Sequence, residues 1–377
     1  MLSKKFLKLN SKKNYLYDDK NLNIVVLIPV YKEEALIESS IKYFETLQNV
    51  SVIYITTSKE VTQATFKIGK SVIESNNIKN IKIINSPNVT GNMATQLNYA
   101  LKYISEDSMI ALYNIDSRPT NSTFDFVRYK YNEGIRVFQQ VSYFNDNLNG
   151  ILASAQRWQN RWSVIFELGR LLLPTNFDKF RYTIGHGFFC IKGLLHSLGG
   201  WPEDEINEDN ALGYILSLNN IDIHPIPLFE CADFARSKKI YIYQQSTWFN
   251  GPLYALNYFF KYKKSFNALF MSIINFKAAL SWLLGPLLYI TITLWSILNN
   301  TMFFFFHNFL IIIYITFFNY LGSKLLRTYI KEKFQIKYIF FDIAFYIVHC
   351  LGPLLTLCKI LARKNNIANK YTTEKKY

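Results

Sequence analysis

Cysteine is scarce in this chain and acidic side chains are outnumbered, and both shortages exclude something. Four cysteines, Cys190, Cys231, Cys350 and Cys358, form no C-x-x-C pair and have no histidine at ligand spacing. That argues against structural zinc and fits a reducing, cytoplasmic compartment. Asp and Glu number 27 against 42 Lys and Arg, a formal charge of +15. Such an excess calls for an anionic partner. No nucleic-acid module signature is present, which argues against nucleic acid. The lysines lie instead at the N-terminus and beside apolar segments, as an acidic membrane face would select. The first twenty residues hold six lysines but no apolar stretch fit for export. The N-terminal part is therefore expected in the cytoplasm.

What is abundant is aromatic and aliphatic. Half the residues are hydrophobic, with 31 Phe and 26 Tyr, and they concentrate in 251–361. This shift predicts a basic segment 1–21, an α/β domain 22–248 and an amphipathic interfacial region 249–276. A membrane region 277–361 and a basic tail 362–377 follow. Lys261, Lys263 and Lys264 among aromatics suit a helix in the headgroup layer. Ala278–Leu298 and Met302–Gly322 are each long enough to cross a bilayer. Lys324–Lys337 is basic and should face the cytoplasm. Tyr338–Leu361 is interrupted by Asp342, His349 and Gly352-Pro353, so the crossings number two or three.

Upstream, apolar runs alternate with helix-spaced segments. Asn23–Val30, Val50–Ile55, Ile81–Ile84 and Met109–Tyr113 read as strands. Ile37 to Phe44, Val61–Ser75 and Met93–Ile104 read as the helices between them. Such βαβ units predict a Rossmann-like, mainly parallel sheet with ligands at the carboxyl ends of its strands. One rim then gathers the Tyr31–Glu33 turn, Thr56-Thr57 and Asp116. Further on, Arg136–Phe144 reads as a strand and Leu152–Leu173 as a helix. Asn207 suits the N-cap of a helix beginning near Glu208, and His186 reads as a turn residue between Gly185 and Gly187.

The motifs along this rim occur in a telling order. They are I-P-V-Y-K-E-E at 28–34, N-I-D at 114–116, G-G-W at 199–201, E-D at 208–209 and Q-Q-S-T-W at 244–248. Together they resemble the inverting glycosyltransferases of family 2, which have the GT-A fold, over residues 22–250. The resemblance implies a divalent metal, magnesium or manganese, on Asp116, the last acid of a D-x-D-like motif. It implies Asp209 as general base, taking the proton of an acceptor hydroxyl. Pro29, Tyr31, Glu33, Asn98 and Asn114 would join Asp116 on the donor side. Trp201, Glu208, Gln244 and Trp248 would face the acceptor. Departures are plain: Asn114 replaces the first acid, Thr56 a common Asp, and Thr247 the Arg of Q-x-x-R-W.

The expectation is a multi-pass membrane glycosyltransferase with its catalytic domain in the cytoplasm. It would move a hexosyl or N-acetylhexosaminyl group from a UDP- or GDP-sugar to a lipid-linked or polysaccharide acceptor. A processive polysaccharide synthase and a non-catalytic membrane scaffold stay open beside it.

Overall fold

The computed structural model describes residues 22–172, 180, 183–299, 301–330 and 338–362. The basic segments 1–21, 331–337 and 363–377 lie outside them. In chain order the elements begin with β1 (Ile24–Pro29), α1 (Ile37–Glu45), β2 (Val50–Thr57), α2 (Ala64–Ser75) and β3 (Ile81–Ser86). Next come α3 (Met93–Ala100), β4 (Met109–Leu112), α4 (Asn121–Asn132), β5 (Val137–Gln139) and β6 (Ser142–Phe144). α5 (Gly150–Trp162) and α6 (Leu168–Leu172) precede β7 (Phe188–Ile191), α7 (Lys192–Ser197) and α8 (Glu208–Leu218). β8 (His224–Pro225) and β9 (Glu230–Ala232) lead to α9 (Lys238–Leu253), α10 (Ala255–Lys261) and α11 (Phe266–Leu298). α12 (Phe303–Ile330), α13 (Ile339–Val348) and α14 (Leu351–Leu361) close the described chain.

The chain forms two compact units. The first holds the described residues of 22–143 and 180–233, and the second those of 144–172 and 234–362. Composition alone puts a boundary after 248, whereas contacts assign 144–172 and 234–248 to the helical unit.

The first unit is an α/β domain around a seven-stranded sheet of order β3-β2-β1-β4-β7-β5-β8. β1 pairs in parallel with β2 and β4, and β2 with β3. Only β7 runs against its neighbours, β4 and β5. The mainly parallel, Rossmann-like reading therefore holds. β1 reads as an unbroken apolar run because both of its faces are covered, and its first five residues are all buried. Gln96 of α3 donates to the carbonyls of Val30 and Ile55, just past β1 and near the end of β2. The Ile55 carbonyl accepts from the Val30 amide as well, so Gln96 locks the two strand ends together.

Several expected boundaries move. The helix expected from Val61 starts at Ala64, because Glu60–Gln63 closes a turn with Gln63 at φ +50°. α3 ends at Ala100 and tightens into a 3₁₀ turn over Leu101–Tyr103. Arg136–Phe144 is two short strands in different sheets, β5 in the large one and β6 paired with β9. The 152–173 helix begins at Gly150 and passes through a π turn at Ser163–Glu167. Asn207 does precede α8, but its side chain makes no capping bond.

β8 is an edge strand, as Pro225 requires. His224 stacks on Phe126 at 6.0 Å and meets the edge of Phe138 at 5.9 Å. Burial, helped by Lys130, pushes its pKa down from 6.5 to about 4. The unfolded chain thus takes up this proton near pH 6.5, while the folded one refuses it until about pH 4. Its contribution is complete above pH 6.5 and is lost as the pH falls toward 4. The loss is on the order of 2–3 kcal/mol. Melting midpoints of wild type and His224→Gln between about pH 7 and 4.5 check it. The wild-type midpoint should fall more steeply; parallel curves would remove His224 as the source.

The second unit is helical. Its core packs Trp158, Phe234, Tyr241, Phe318 and Phe345. Three stretches, Phe266–Leu298, Phe303–Arg327 and Ile339–Leu361, are long and apolar enough to cross a membrane. The first starts earlier than its apolar composition suggests, because Ser265 caps α11 by accepting from the Ala268 amide. Residues 249–276 are accordingly no single interfacial helix: α9 ends at Leu253, α10 is short, and α11 takes the remainder. The third stretch breaks between Val348 and Leu351, just before Pro353. Asp342 is 2% exposed and lies 2.9 Å from Arg157 and 3.7 Å from Arg161 of α5. Asn319 of α12 donates to the same carboxylate and accepts from Arg161 at 2.8 Å.

Candidate active site

Three loops at the carboxyl ends of β1, β2 and β4 form the first part of the site. After β1, Lys32 adopts a left-handed conformation, φ +57°. Its amide donates to Glu60 Oε2 at 3.1 Å, and the second oxygen of Glu60 accepts from Thr65 at 2.8 Å. Glu60, 2% exposed, thereby ties the Tyr31–Glu33 turn to the start of α2. Tyr31 is half-buried, with the ammonium groups of Lys32 and Lys59 at 5.3 and 5.5 Å from its ring. The Glu33 amide donates to Thr65, and its carbonyl accepts from Leu36 and Ile37. Thr56 turns its hydroxyl to Asn85 at 2.9 Å.

After β4 the chain turns at Asn114–Ser117, where the Ser117 amide donates to the Asn114 carbonyl. This turn carries Asp116, 3% exposed, whose Oδ2 accepts from the Asp233 amide at 3.3 Å. Arg118 pairs with Cys231 across an antiparallel bridge, so β9 runs alongside the turn. The Arg118 guanidinium lies over Tyr43 at 5.0 Å, and its Nη1 donates to the carbonyls of Ile115 and Ser117. Among the described residues no trio of His, Cys, Asp or Glu is placed to hold a metal. One carboxylate at a strand end is nevertheless the donor set of a cation held chiefly by substrate phosphates.

The second carboxylate reaches the same edge through the turn that enters β7. Phe188 lies opposite Leu112, and the Gly187 amide donates to the Leu112 carbonyl at 2.7 Å. Gly187 has φ +64°, and a Cβ there would come 2.6 Å from the Gln140 carbonyl oxygen, so glycine is required. Two residues earlier, a Cβ on Gly185 would lie 3.1 Å from Asp209 Oδ2. Asp209 Oδ1 accepts from the Asn210 amide at 2.7 Å, and its carbonyl accepts from Thr183. Asp209 therefore sits in the first turn of α8, against the Gly185 backbone. Gly185 in turn belongs to the loop bonded to the end of β4. Between them His186 contacts Glu230, a carboxylate with no exposure, and Ser142 donates to the same oxygen.

Other expected site residues are placed differently. Trp201 is 2% exposed and belongs to the core, so its indole offers no face to a sugar. In the loop that follows, Glu203 and Asp204 are exposed, and the backbone is held by Asn98. The Asn98 amide donates to the Trp201 carbonyl and accepts from the Trp201 amide, at 2.8 and 2.9 Å. A Cβ on Gly200 would come 2.6 Å from Asn98 Oδ1. Asn98 is thus an anchor of the 200–203 loop. Glu208 is 2% exposed in the first turn of α8. Gln244 and Trp248 belong to the helical unit, half-buried and one turn apart on α9. Thr247, in place of the motif's Arg, bonds back to the Tyr243 carbonyl at 3.1 Å.

Sequence reading overlooked Glu60, Gln96, Glu230 and Asp233. Their roles rest on partners far along the chain, and no local pattern marks them. Burial pushes the Cys190 thiol up to about 12, which leaves it a core residue without nucleophilic character. Burial, with Glu230 second, likewise raises the Tyr113 hydroxyl.

No family model matches the chain, and no curated protein does. Among solved structures, the mannosyltransferase PcManGT of Pyrobaculum calidifontis, in complex with GDP-mannose and manganese, is similar at a TM-score of 0.59. Identity is 14%, over 95% of this chain and 99% of that one. The chain therefore has a glycosyltransferase-like fold. A 4-diphosphocytidyl-2C-methyl-D-erythritol synthase of Anaerococcus prevotii matches at a TM-score of only 0.36 and 9% identity, over 61% of this chain and 95% of that one.

Proposed function

We propose that the chain is a membrane-anchored inverting glycosyltransferase of the family 2 type, acting at the cytoplasmic face. Its donor is a nucleotide-sugar, a UDP- or GDP-sugar, and its acceptor is lipid-linked or a glycan. The observation that carries this is Asp209 set against Gly185, in a turn bonded to the β4 end that carries Asp116. A fold shared with a mannosyltransferase along most of the chain supports it.

Asp209 accepts the proton of the acceptor hydroxyl as that oxygen forms its bond to the anomeric carbon. The carbon–oxygen bond to the diphosphate breaks on the opposite face, which inverts configuration, and the nucleoside diphosphate departs. Asp116 would hold a magnesium or manganese ion, with Asn114 beside it accepting a donor hydroxyl. Such a cation, when bound, offsets charge on the diphosphate. Tyr31 offers its ring to the nucleobase. Anchoring confines enzyme and a lipid-borne acceptor to one plane. With three candidate spans, single addition to a lipid-linked acceptor fits better than a polymer-conducting synthase.

Purified protein in lipid, given radiolabelled nucleotide-sugars with manganese or magnesium, is expected to label a lipid-extractable product. EDTA should suppress the labelling at least tenfold. Absence of both transfer and hydrolysis would leave a scaffold. A long labelled polymer would favour the synthase.

A further inference from the structure

Of the three stretches long and apolar enough to cross a membrane, the third is packed unlike the other two. α11 and α12 form a hairpin, tied by Tyr289 donating to Asn308 at 2.8 Å. Large apolar side chains stay exposed along it, Leu284, Leu288, Leu294, Phe306 and Phe309 among them. α13 and α14 carry instead a polar row at seven-residue spacing, Asp342, His349 and Thr356, with Lys359 less than a turn beyond. Seven residues are close to two helical turns, so the row falls on one face.

Each member of that row meets α5 or α9. Asp342 pairs with Arg157 at 2.9 Å, and the His349 ring lies 5.6 Å from that of Trp158. The Thr356 hydroxyl is 2.9 Å from Ser246 Oγ, and Lys359 Nζ donates to the same oxygen at 3.1 Å. Between them α14 comes so near α9 that a Cβ on Gly352 would lie 2.5 Å from Gln245 Cβ. Neither α5 nor α9 is among the stretches apolar enough to cross. They carry Arg157, Arg161, Lys238 and Lys239, the two lysines exposed, and the bilayer interior disfavours such charges. A stretch bound along its length to these helices has to stay at their depth.

We propose that α13 and α14 do not cross the membrane but dock an apolar face into the leaflet on the side of α5 and α9. The chain then crosses twice, through α11 and α12. Phe340, Phe341, Leu351 and Leu361 are exposed for that contact. The Tyr346 ring lies 6.2 Å from that of Tyr289, so the face adjoins the hairpin that lipid surrounds. Charge favours the same arrangement. Lys324 and Arg327 are exposed at the end of α12, and two crossings put Lys359 on their side, as basic residues prefer. The inference rests on the membrane-anchored part of the reading above, and on none of its sugar chemistry.

The test uses the full chain in sealed membrane vesicles of known orientation, with the exposed cysteines removed by Cys231→Ser and Cys358→Ser. Single cysteines then enter at exposed positions: Lys238→Cys on α9, Met302→Cys between α11 and α12, and Ala362→Cys after α14. A membrane-impermeant maleimide should label Ala362→Cys from the same side as Lys238→Cys, and Met302→Cys from the opposite side alone. Labelling of Ala362→Cys from the side of Met302→Cys, or from neither side, overturns the inference. If Met302→Cys is labelled from the side of Lys238→Cys, the hairpin does not cross, and the anchored reading fails together with the inference. A bimane on Leu351→Cys should be quenched by lipids brominated in their acyl chains, as one on Leu288→Cys of α11 is. Quenching at Leu288→Cys alone would mean that protein covers the α13–α14 face, and would overturn its docking on lipid.

Discussion

Replacing Asp209 with Asn is expected to lower sugar transfer by about 10²–10⁴-fold, the range of a lost general base. The substitution is close to isosteric. Asn keeps an Oδ1 to accept the 2.7 Å bond from the Asn210 amide, so the first turn of α8 should persist. What changes is the atom toward Gly185, where an amide nitrogen replaces a carboxylate oxygen. An amide cannot take the acceptor's proton at neutral pH. Donor affinity should move little, because the defect lies in the chemical step. Single-turnover transfer with donor in excess, alongside nucleoside diphosphate binding, makes the comparison. Retention of more than about a tenth of the wild-type rate would take the base role from Asp209.

Asp342→Ala is expected to destabilise the helical unit by about 3–5 kcal/mol, the usual effect of removing one partner from a buried ion pair. Arg157 and Arg161 both direct a guanidinium at this carboxylate, from one turn apart on α5. Asn319 bridges Asp342 and Arg161, so three helices of one unit meet at a single acid. Without it, two cations face each other with little water to screen them. Gly322 adds to the constraint, since any Cβ there would collide with the Arg161 side chain. Combining Asp342→Leu with Arg157→Met and Arg161→Met should recover much of the loss, because apolar replacement of a whole buried cluster is often neutral. Thermal melting in detergent reads both variants. A shift equivalent to less than about 1 kcal/mol for the single change would mean that the cluster is well hydrated.

How much of this was legible beforehand differs from residue to residue. Ile24–Pro29 announces itself, since a run with both faces buried must be apolar throughout. Asp116 follows from β4 because a strand end fixes which edge a turn decorates. Asp209 came from the resemblance, through the E-D pair at 208–209, and its place in the first turn of a helix alone would not single it out. Trp201, expected to face the acceptor, is core instead, because exposure belongs to packing and leaves no local trace. Asn98, expected on the donor side, holds a loop 103 residues away, which no local pattern marks. His186 is the turn residue expected, but its contact with Glu230, 44 positions downstream, left no local trace.

Periodicity, proline positions and apolar length were enough to determine the parallel βαβ order, the edge on which ligands fall and two of the three stretches able to cross a membrane. These are short-range properties, set by backbone geometry and by solvent on either face of one element. Only the tertiary structure decided that Trp201 is core, that Asp342 answers two arginines of α5, and that Glu230 holds His186. Each depends on which distant side chains share a volume with little water. There an unmatched charge or polar group costs several kcal/mol, and its partner must come from elsewhere in the chain.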